Sequence, residues 1–182
     1  QCELIVEQAY ARYVKRVDAS LPAAHLAPLL DDASIELGAV YCSDAIVEEE
    51  GQRRIADLLE DPHKPSGSPG TRVPHIVLQR NGVTVSTHDL SENGFVLLAG
   101  ARNWAAAAQV LAAERGIPLK AYRIAPDGDL ADSDGRFEST VGVGAQGALL
   151  LRPDGVIGWR THGSHADPRA RLDEVMRRLT SR

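Results

Sequence analysis

The chain has 182 residues, of which 43% are hydrophobic, so it is long enough for one domain with its own core and a smaller additional segment. Its formal net charge is -5, and its 20 Lys and Arg residues are scattered along the chain, which argues against a nucleic-acid or membrane partner. No apolar stretch approaches the roughly 18 residues of a membrane span, and no signal segment stands at the start. We therefore expect a cytoplasmic chain.

The first predicted element is an amphipathic helix over residues 3–17, in which Val6, Tyr10, Val14 and Val17 recur at three- and four-residue steps. The sequence begins with a glutamine and enters this helix at once. This start suggests a piece of a longer protein, although tag cleavage or proteolysis would give the same start.

The next part of the chain is expected to be mostly irregular. Residues 35–47 (IELGAVYCSDAIV) are rich in β-branched and aromatic residues and predict one or two short extended pieces, and the glutamates at 48–50 predict a solvated loop. Residues 61–74 concentrate Pro, Gly and Ser, which predicts a linker. We accordingly expect a helix and linker at 1–60 and a folded domain at 61–182.

From residue 75 the pattern changes to regular strands and helices. The predicted elements are a strand HIVLQ, an Asn-Gly turn, a strand VTVST, a strand FVLLA, a helix that ends at Gly116, and a strand LKAYRIA. A strand, a helix and a strand at this spacing predict a parallel pair with a right-handed crossover.

The last elements are a hairpin and a helix. In ALLLRPDGVIGWR (148–160) two apolar runs flank Arg-Pro-Asp-Gly, which predicts two antiparallel strands. Asp167 and Pro168 predict the start of a terminal helix, whose apolar face is formed by Leu172, Val175, Met176 and Leu179. The predicted order from residue 75 is thus β-β-β-α-β, a loop, and β-β-α.

Several motifs invite a chemical interpretation, and in each case a structural one is favoured. GVGAQG at 142–147 has the spacing of a dinucleotide fingerprint, but it precedes a strand where the fingerprint must follow one, so we expect a glycine loop. His162 and His165 lack a convincing set of further metal ligands and are expected to be a loop pair. His75 is expected to be a structural hydrogen-bonding residue, and no GxSxG motif is present.

The two tryptophans and two cysteines are expected to have no catalytic role. Trp159 is expected to be half-buried on a sheet face, and Trp104 to pack in the core or an interface rather than contact a ligand. Cys2 and Cys42 lie far apart without a CxxC motif, so neither a disulfide framework nor a zinc site is expected.

The predicted element order resembles the thioredoxin-like fold, an α/β domain with a central mixed sheet flanked by helices. Thioredoxins carry their CxxC at the turn that here reads GARNW (100–104), and a cis-proline at the stretch that here reads AQGA (145–148). Because disulfide exchange requires a thiolate and a resolving partner, the resemblance implies a domain without redox activity.

Four segments together resemble the C-terminal domain of flavin-dependent aromatic-ring hydroxylases, the group of phenol and polyketide hydroxylases. They are PGTRVPH (69–75), FVLLAG (95–100), GIPLKAYRI (116–124) and LLLRPDGVIGWR (149–160). The stretch IELGAVYCSDAIV is similar to the chlorophenol-hydroxylase branch of this group.

The resemblance implies a parent enzyme that uses FAD, NADPH or NADH, and oxygen to hydroxylate a phenol-like ring. The family's flavin-binding motifs are not found in this sequence, so no catalytic, cofactor-binding or metal-binding residue can be assigned to it, and the chain alone is not expected to be active. The implied role is structural, with the upstream flavin domain as partner and a homo-oligomer as a further possibility.

Two other classes of function remain open at this point. A free-standing thioredoxin-like binding module would use the turn at Trp104 as its ligand site and would have an initiator Met close upstream. A thiol-dependent peroxidase would need a reactive cysteine, and Cys42 lies outside the predicted thioredoxin-like core.

Overall fold

The computed structural model describes residues 32–49, 58–91 and 93–180. Among them are six strands, four α-helices and one short 3-10 helix at Thr87–Leu90. The strands are β1 (Val77–Arg80), β2 (Val83–Ser86), β3 (Phe95–Ala99), β4 (Leu119–Arg123), β5 (Ala148–Leu151) and β6 (Ile157–Thr161). The helices are α1 (Asp32–Leu37), α2 (Arg102–Arg115), α3 (Arg136–Val141) and α4 (Pro168–Thr180).

The centre of the molecule is a mixed sheet of four strands in the order β4-β3-β5-β6. β3 and β4 are parallel and joined through α2, while β5 pairs antiparallel with both β3 and β6. The predicted parallel pair and the predicted hairpin are therefore confirmed. β1 and β2 form a separate antiparallel pair.

Local turn chemistry explains the two hairpins. Asn81 and Gly82, with φ of 51° and 78°, join β1 to β2, as the Asn-Gly signal predicts. In the second hairpin Gly155 has φ of 77°, and the Arg152 N–H donates to the Val156 carbonyl at 2.9 Å. Both turns need residues that tolerate positive φ, and both have them.

The helices α2 and α4 cover one face of the four-stranded sheet. The other face packs against α3, β1 and the loops. The first core contains α2, α4 and alternate residues of the central strands, namely Leu97, Ala99, Trp104, Ala108, Leu111, Leu150, Trp159, Leu172, Val175 and Met176. The second contains Ile76, Leu78, Val96, Leu98, Leu130, Phe137, Val141, Leu149, Leu151 and Ile157. Because both faces are buried, β3 and β5 are almost continuously apolar.

The terminal helix begins where the sequence predicts. The Asp167 carboxylate accepts from the Ala170 N–H at 2.9 Å, and Pro168 is the first helical residue. The predicted apolar face packs inward, since Leu172, Val175 and Met176 are buried and Leu179 packs against the same core.

The loop predicted between β4 and β5 contains a short helix, α3. The Asp132 carboxylate accepts from the Arg136 and Phe137 N–H groups at 3.0 and 2.8 Å, and Phe137 is buried under the sheet. Six residues are too few to produce a helical periodicity in the sequence, and this explains the omission.

The segment before the domain differs in part from expectation. The helix α1 includes the first three residues of the stretch 35–47, which was predicted to be extended. The extended pairing after it is an antiparallel bridge between Ala39 and Leu59. Glu49, predicted in a solvated loop, has only 6% of its side chain exposed, because it pairs with a buried arginine. The helix predicted over 3–17 lies outside the described residues.

Residues 61–74, predicted as a linker, contain no helix or strand but are not loosely placed. Gly70 donates to the Ile157 carbonyl at 2.8 Å, Ile157 donates to that of Thr71 at 2.9 Å, and Val73 donates to that of Gly155 at 2.9 Å. The segment therefore adds an edge to β6, and its Pro and Gly content reflects this irregular pairing. The division of the chain at residue 60 stays a prediction.

Within the described ranges, none of the helices is both long and apolar enough to cross a membrane.

Candidate functional site

The turn between β3 and α2 lies directly against the glycine loop that precedes β5. The Gly100 N–H donates to the Gly147 carbonyl at 3.1 Å. A Cβ atom added at Gly100 would lie 2.3 Å from the Gly144 carbonyl oxygen and 2.7 Å from backbone atoms of Ala145. The two segments are thus in backbone contact, as the strand order requires when β3 and β5 are neighbours.

Trp104 anchors this turn from inside the core. Its side chain is fully buried, and its Nε1–H donates to the Gln146 carbonyl at 3.2 Å. Its ring packs edge-on against Trp159, at 5.3 Å between centroids, and against His165, at 5.5 Å. The core-packing interpretation of Trp104 is therefore confirmed.

Trp159 is more deeply buried than the sequence indicated. It is 1% exposed, where a half-buried ring was expected. β6 carries α4 on this face, and Leu172, Val175 and Met176 of that helix close over the same core cluster. The expectation was wrong because strand alternation does not reveal which face a distant helix covers.

A cavity of about 460 Å³ opens beside the turn. Its walls are largely apolar and include Ile124, Phe137 and Val143, with Gly100 at one end. The carboxylate of Asp132 lies on its lining but is already used to cap α3. Glu138 is a second acidic residue in the lining, so the cavity combines a largely apolar surface with two carboxylic residues.

An exposed ion pair stands at the start of α2. Arg102 Nη2 donates to Asp127 Oδ2 at 2.6 Å, and Arg123 pairs with the other carboxylate oxygen. The Arg102 guanidinium holds the pKa of the Asp127 carboxyl below its ordinary value, and Arg123 adds to this effect. Since the pKa is lowered in the folded state, the pair's stabilising contribution is present at neutral pH and is lost as the pH falls through that lowered pKa.

We expect Arg102→Gln to raise the titration midpoint of Asp127, because it removes the largest of the interactions that lower it. Carboxyl-carbon NMR against pH measures this midpoint directly. Arg178→Gln, a surface arginine on α4, serves as the matched control and should leave it in place. An unchanged midpoint in Arg102→Gln would show that the pair is not formed in solution.

The two histidines after β6 are held by separate neighbours. His162 Nδ1 lies 2.6 Å from the Gly142 carbonyl and donates to it, and His165 Nε2 lies 3.2 Å from the Thr161 hydroxyl. Over the parts of the chain that the structure describes, no group of three or more His, Cys, Asp or Glu side chains could hold a metal ion.

His75 contacts a serine, but the contact belongs to a helix cap. His75 Nδ1 lies 2.7 Å from Ser86 Oγ. The same oxygen accepts from the His88 N–H and thereby caps the 3-10 helix. The Asp89 carboxylate accepts from the Ser86 N–H and completes the capping box. His75 is thus a structural hydrogen-bonding residue, as the sequence predicts.

The glycine loop at 142–147 does not fit the pyrophosphate of a flavin dinucleotide. Gly142, with φ of 69°, ends α3, and the glycine run then leads into β5, which is the reverse of the strand-glycine-helix order of a pyrophosphate site. The other strand-helix turn, at Gly100, is filled by the backbone of Gly144 and Ala145. At neither place do glycines with the dinucleotide spacing stand between a strand and the helix that follows it.

Sequence reasoning missed a buried ion pair between Glu49 and Arg160. Their side chains are 6% and 5% exposed, and Arg160 Nε donates to Glu49 Oε1. The only signal in the sequence is a charged residue at the end of the apolar strand β6, beside Trp159. An arginine in a buried strand needs a partner, but nothing in the pattern identifies a residue 111 positions away.

Comparison with known proteins gives consistent matches. The family described as "Aromatic-ring hydroxylase, C-terminal" matches residues 66–182. The chain is 36% identical to 4-methyl-5-nitrocatechol 5-monooxygenase of a Burkholderia species and 37% identical to aklavinone 12-hydroxylase of Streptomyces purpurascens. These alignments cover 98% and 99% of the chain and 33% of each relative.

A solved structure gives the same result. The complex of aklavinone-11 hydroxylase with FAD and aklavinone matches with a TM-score of 0.83 and 37% identity, covering 99% of this chain and 33% of that one. The chain thus spans about a third of the length of the curated relatives that it matches.

Proposed function

Because the chain belongs to the C-terminal family of aromatic-ring hydroxylases and corresponds to the C-terminal part of these flavin enzymes, we propose that it is one domain of a monooxygenase. The parent enzyme uses FAD and NAD(P)H to hydroxylate a phenol-like ring. The observation that carries this proposal is a match along nearly the whole chain to one third of such enzymes.

Within that enzyme, the domain is thioredoxin-like and has no redox activity. The strand order β4-β3-β5-β6 and the helix that joins the parallel pair support this assignment. The turn at the dithiol position contains Gly100, Trp104 and no sulfur, and Cys42 is the one cysteine among the described residues. Disulfide exchange at this turn would lack its nucleophile.

The domain contributes packing rather than cofactor binding. A flavin dinucleotide does not fit its glycine loop, and Trp104, the aromatic residue at the turn, is buried in the core. FAD and NAD(P)H are therefore bound by the rest of the protein, and the upstream flavin domain is the main partner. The exposed apolar side chains Leu37, Tyr41 and Leu58 lie around the Ala39–Leu59 bridge and support such a contact or a homo-oligomer.

This division of labour is tested by flavin titration of the 182-residue chain. We expect no stoichiometric quenching of FAD fluorescence and no oxidation of NADPH above background in the presence of a phenol. A full-length hydroxylase of the family is the positive control. Stoichiometric FAD binding by the chain, together with phenol-dependent NADPH oxidation, would contradict the proposal.

The reading frame upstream of Gln1 distinguishes the parent enzyme from a free-standing binding module. The proposal predicts a dinucleotide glycine fingerprint a few hundred codons earlier. The alternative predicts an initiator Met and a stop codon close upstream, and finding them would overturn the assignment to a larger enzyme.

A further inference from the structure

The guanidinium of Arg160 is the most completely surrounded charged group of the sheet. Its side chain is 5% exposed, and Nη1 donates to the carbonyls of Ser66 and Val141 at 2.9 and 2.8 Å. These neutral acceptors satisfy N–H groups but do not balance the charge. A buried guanidinium without an anion is strongly unfavourable, so the site requires a negatively charged group.

Glu49 supplies that group from outside the central sheet. Its Oε1 accepts from Arg160 Nε, while its Oε2 is buried and has no hydrogen-bond partner. His162 donates through Nδ1 to the Gly142 carbonyl, so its Nε2 faces the carboxylate, 3.5 Å from Oε1. The His162 ring therefore lies beside the same carboxylate that Arg160 binds.

The surroundings of the carboxylate are basic. A cavity of about 110 Å³ is lined by Glu49, Trp159, Arg160, Thr161, His162, His165 and Arg171. Of these side chains, Arg160 and His162 contact Glu49, whereas Arg171 pairs with Glu174 and His165 contacts the Thr161 hydroxyl. Glu49 is the one acidic side chain in this lining, and its Oε2 has no hydrogen-bond donor. A buried guanidinium is what a carboxylate-binding site uses, because its N–H groups are strong donors to carboxylate oxygens.

We propose that Arg160 and His162 form a carboxylate-binding site on the domain, that its resident ligand is Glu49, and that a small free carboxylate occupies it when Glu49 is shortened. The bound glutamate holds residues 47–49 against β6, where the Val47 N–H also donates to the Gly158 carbonyl at 2.8 Å. The site thus holds this segment, which lies before the predicted domain, against the sheet.

Chemical rescue tests this site. We expect Glu49→Ala to lower the melting temperature, and sodium formate to raise it again by several degrees in a saturable way, compared with sodium chloride at equal ionic strength, because formate stabilises only the folded state that binds it. Wild type and Glu48→Ala, the exposed neighbour, should show no difference between the two salts. Replacing His162 by Gln in the Glu49→Ala background should weaken the rescue.

Two results would contradict the proposed carboxylate-binding site. Equal melting temperatures of Glu49→Ala in formate and chloride would overturn the proposal. If Glu49→Ala does not fold, Glu49→Gln keeps the shape of the side chain and removes only its charge. It should melt below Glu48→Gln, and a melting temperature equal to that of wild type would show that the site does not recognise a carboxylate.

Discussion

We expect Trp104→Ala to lower the free energy of unfolding by about 3–5 kcal/mol, the usual range for truncating a buried aromatic residue. The indole is fully buried between α2 and the sheet and packs edge-on against Trp159. Its loss leaves a cavity under the β3–α2 turn and removes the hydrogen bond to the Gln146 carbonyl. Urea denaturation followed by circular dichroism measures the change.

Two variants show whether the loss comes from this site. Val110→Ala lies on the same helix but is 45% exposed, and it should change the free energy of unfolding by no more than about 0.5 kcal/mol. Trp104→Phe keeps an aromatic ring and removes the N–H donor, so an intermediate loss is expected. If Trp104→Ala were as stable as Val110→Ala, the turn would not be anchored by core packing.

We expect Gly100→Ala to destabilise the domain by about 1–3 kcal/mol, the range for forcing extra volume into a packed site. The new methyl group would lie 2.3 Å from the Gly144 carbonyl oxygen, closer than non-bonded atoms approach. The nearest atoms are backbone, so a side-chain rotation cannot relieve the contact. The two segments would have to separate, and the hydrogen bond from Gly100 to Gly147 would lengthen.

Gly163→Ala is the matched control for this substitution. It makes the same chemical change, but a Cβ atom at that position meets no other atom within 4 Å. Thermal unfolding of both variants should show a clear loss for Gly100→Ala and almost none for Gly163→Ala. Equal stabilities would mean that the turn and the glycine loop are not in contact in solution.

Much of the fold follows from local signals. FVLLA is buried on both faces and forms β3 over the predicted residues, and α2 ends at Gly116, which takes the left-handed conformation. The terminal helix begins after Asp167 as predicted. Each of these elements is encoded by residues within a few positions of one another.

The sequence assigned no functional residue to the turn between β3 and α2, and it predicted only part of the contacts around that turn. The resemblance to the thioredoxin-like fold singled out the turn at Gly100 and the stretch before β5, and core or interface packing of Trp104 was expected. The burial of Trp159, the partner of Arg160 and the pairing of residues 70–73 with β6 were not. Each depends on a contact between segments far apart in the chain, and no local periodicity records such a contact.

The sequence by itself determined the order of the six strands and of the helices α2 and α4, though not α3, together with the two hairpin turns and the family to which the chain is related. Turn residues and apolar periodicity act over short distances, and these features depend on them. Only the tertiary structure decided what surrounds each charged or aromatic group. Glu49 belongs to a run of glutamates that predicts a solvated loop, yet its side chain is buried because Arg160, on a strand enclosed by other segments, requires a negative charge beside it.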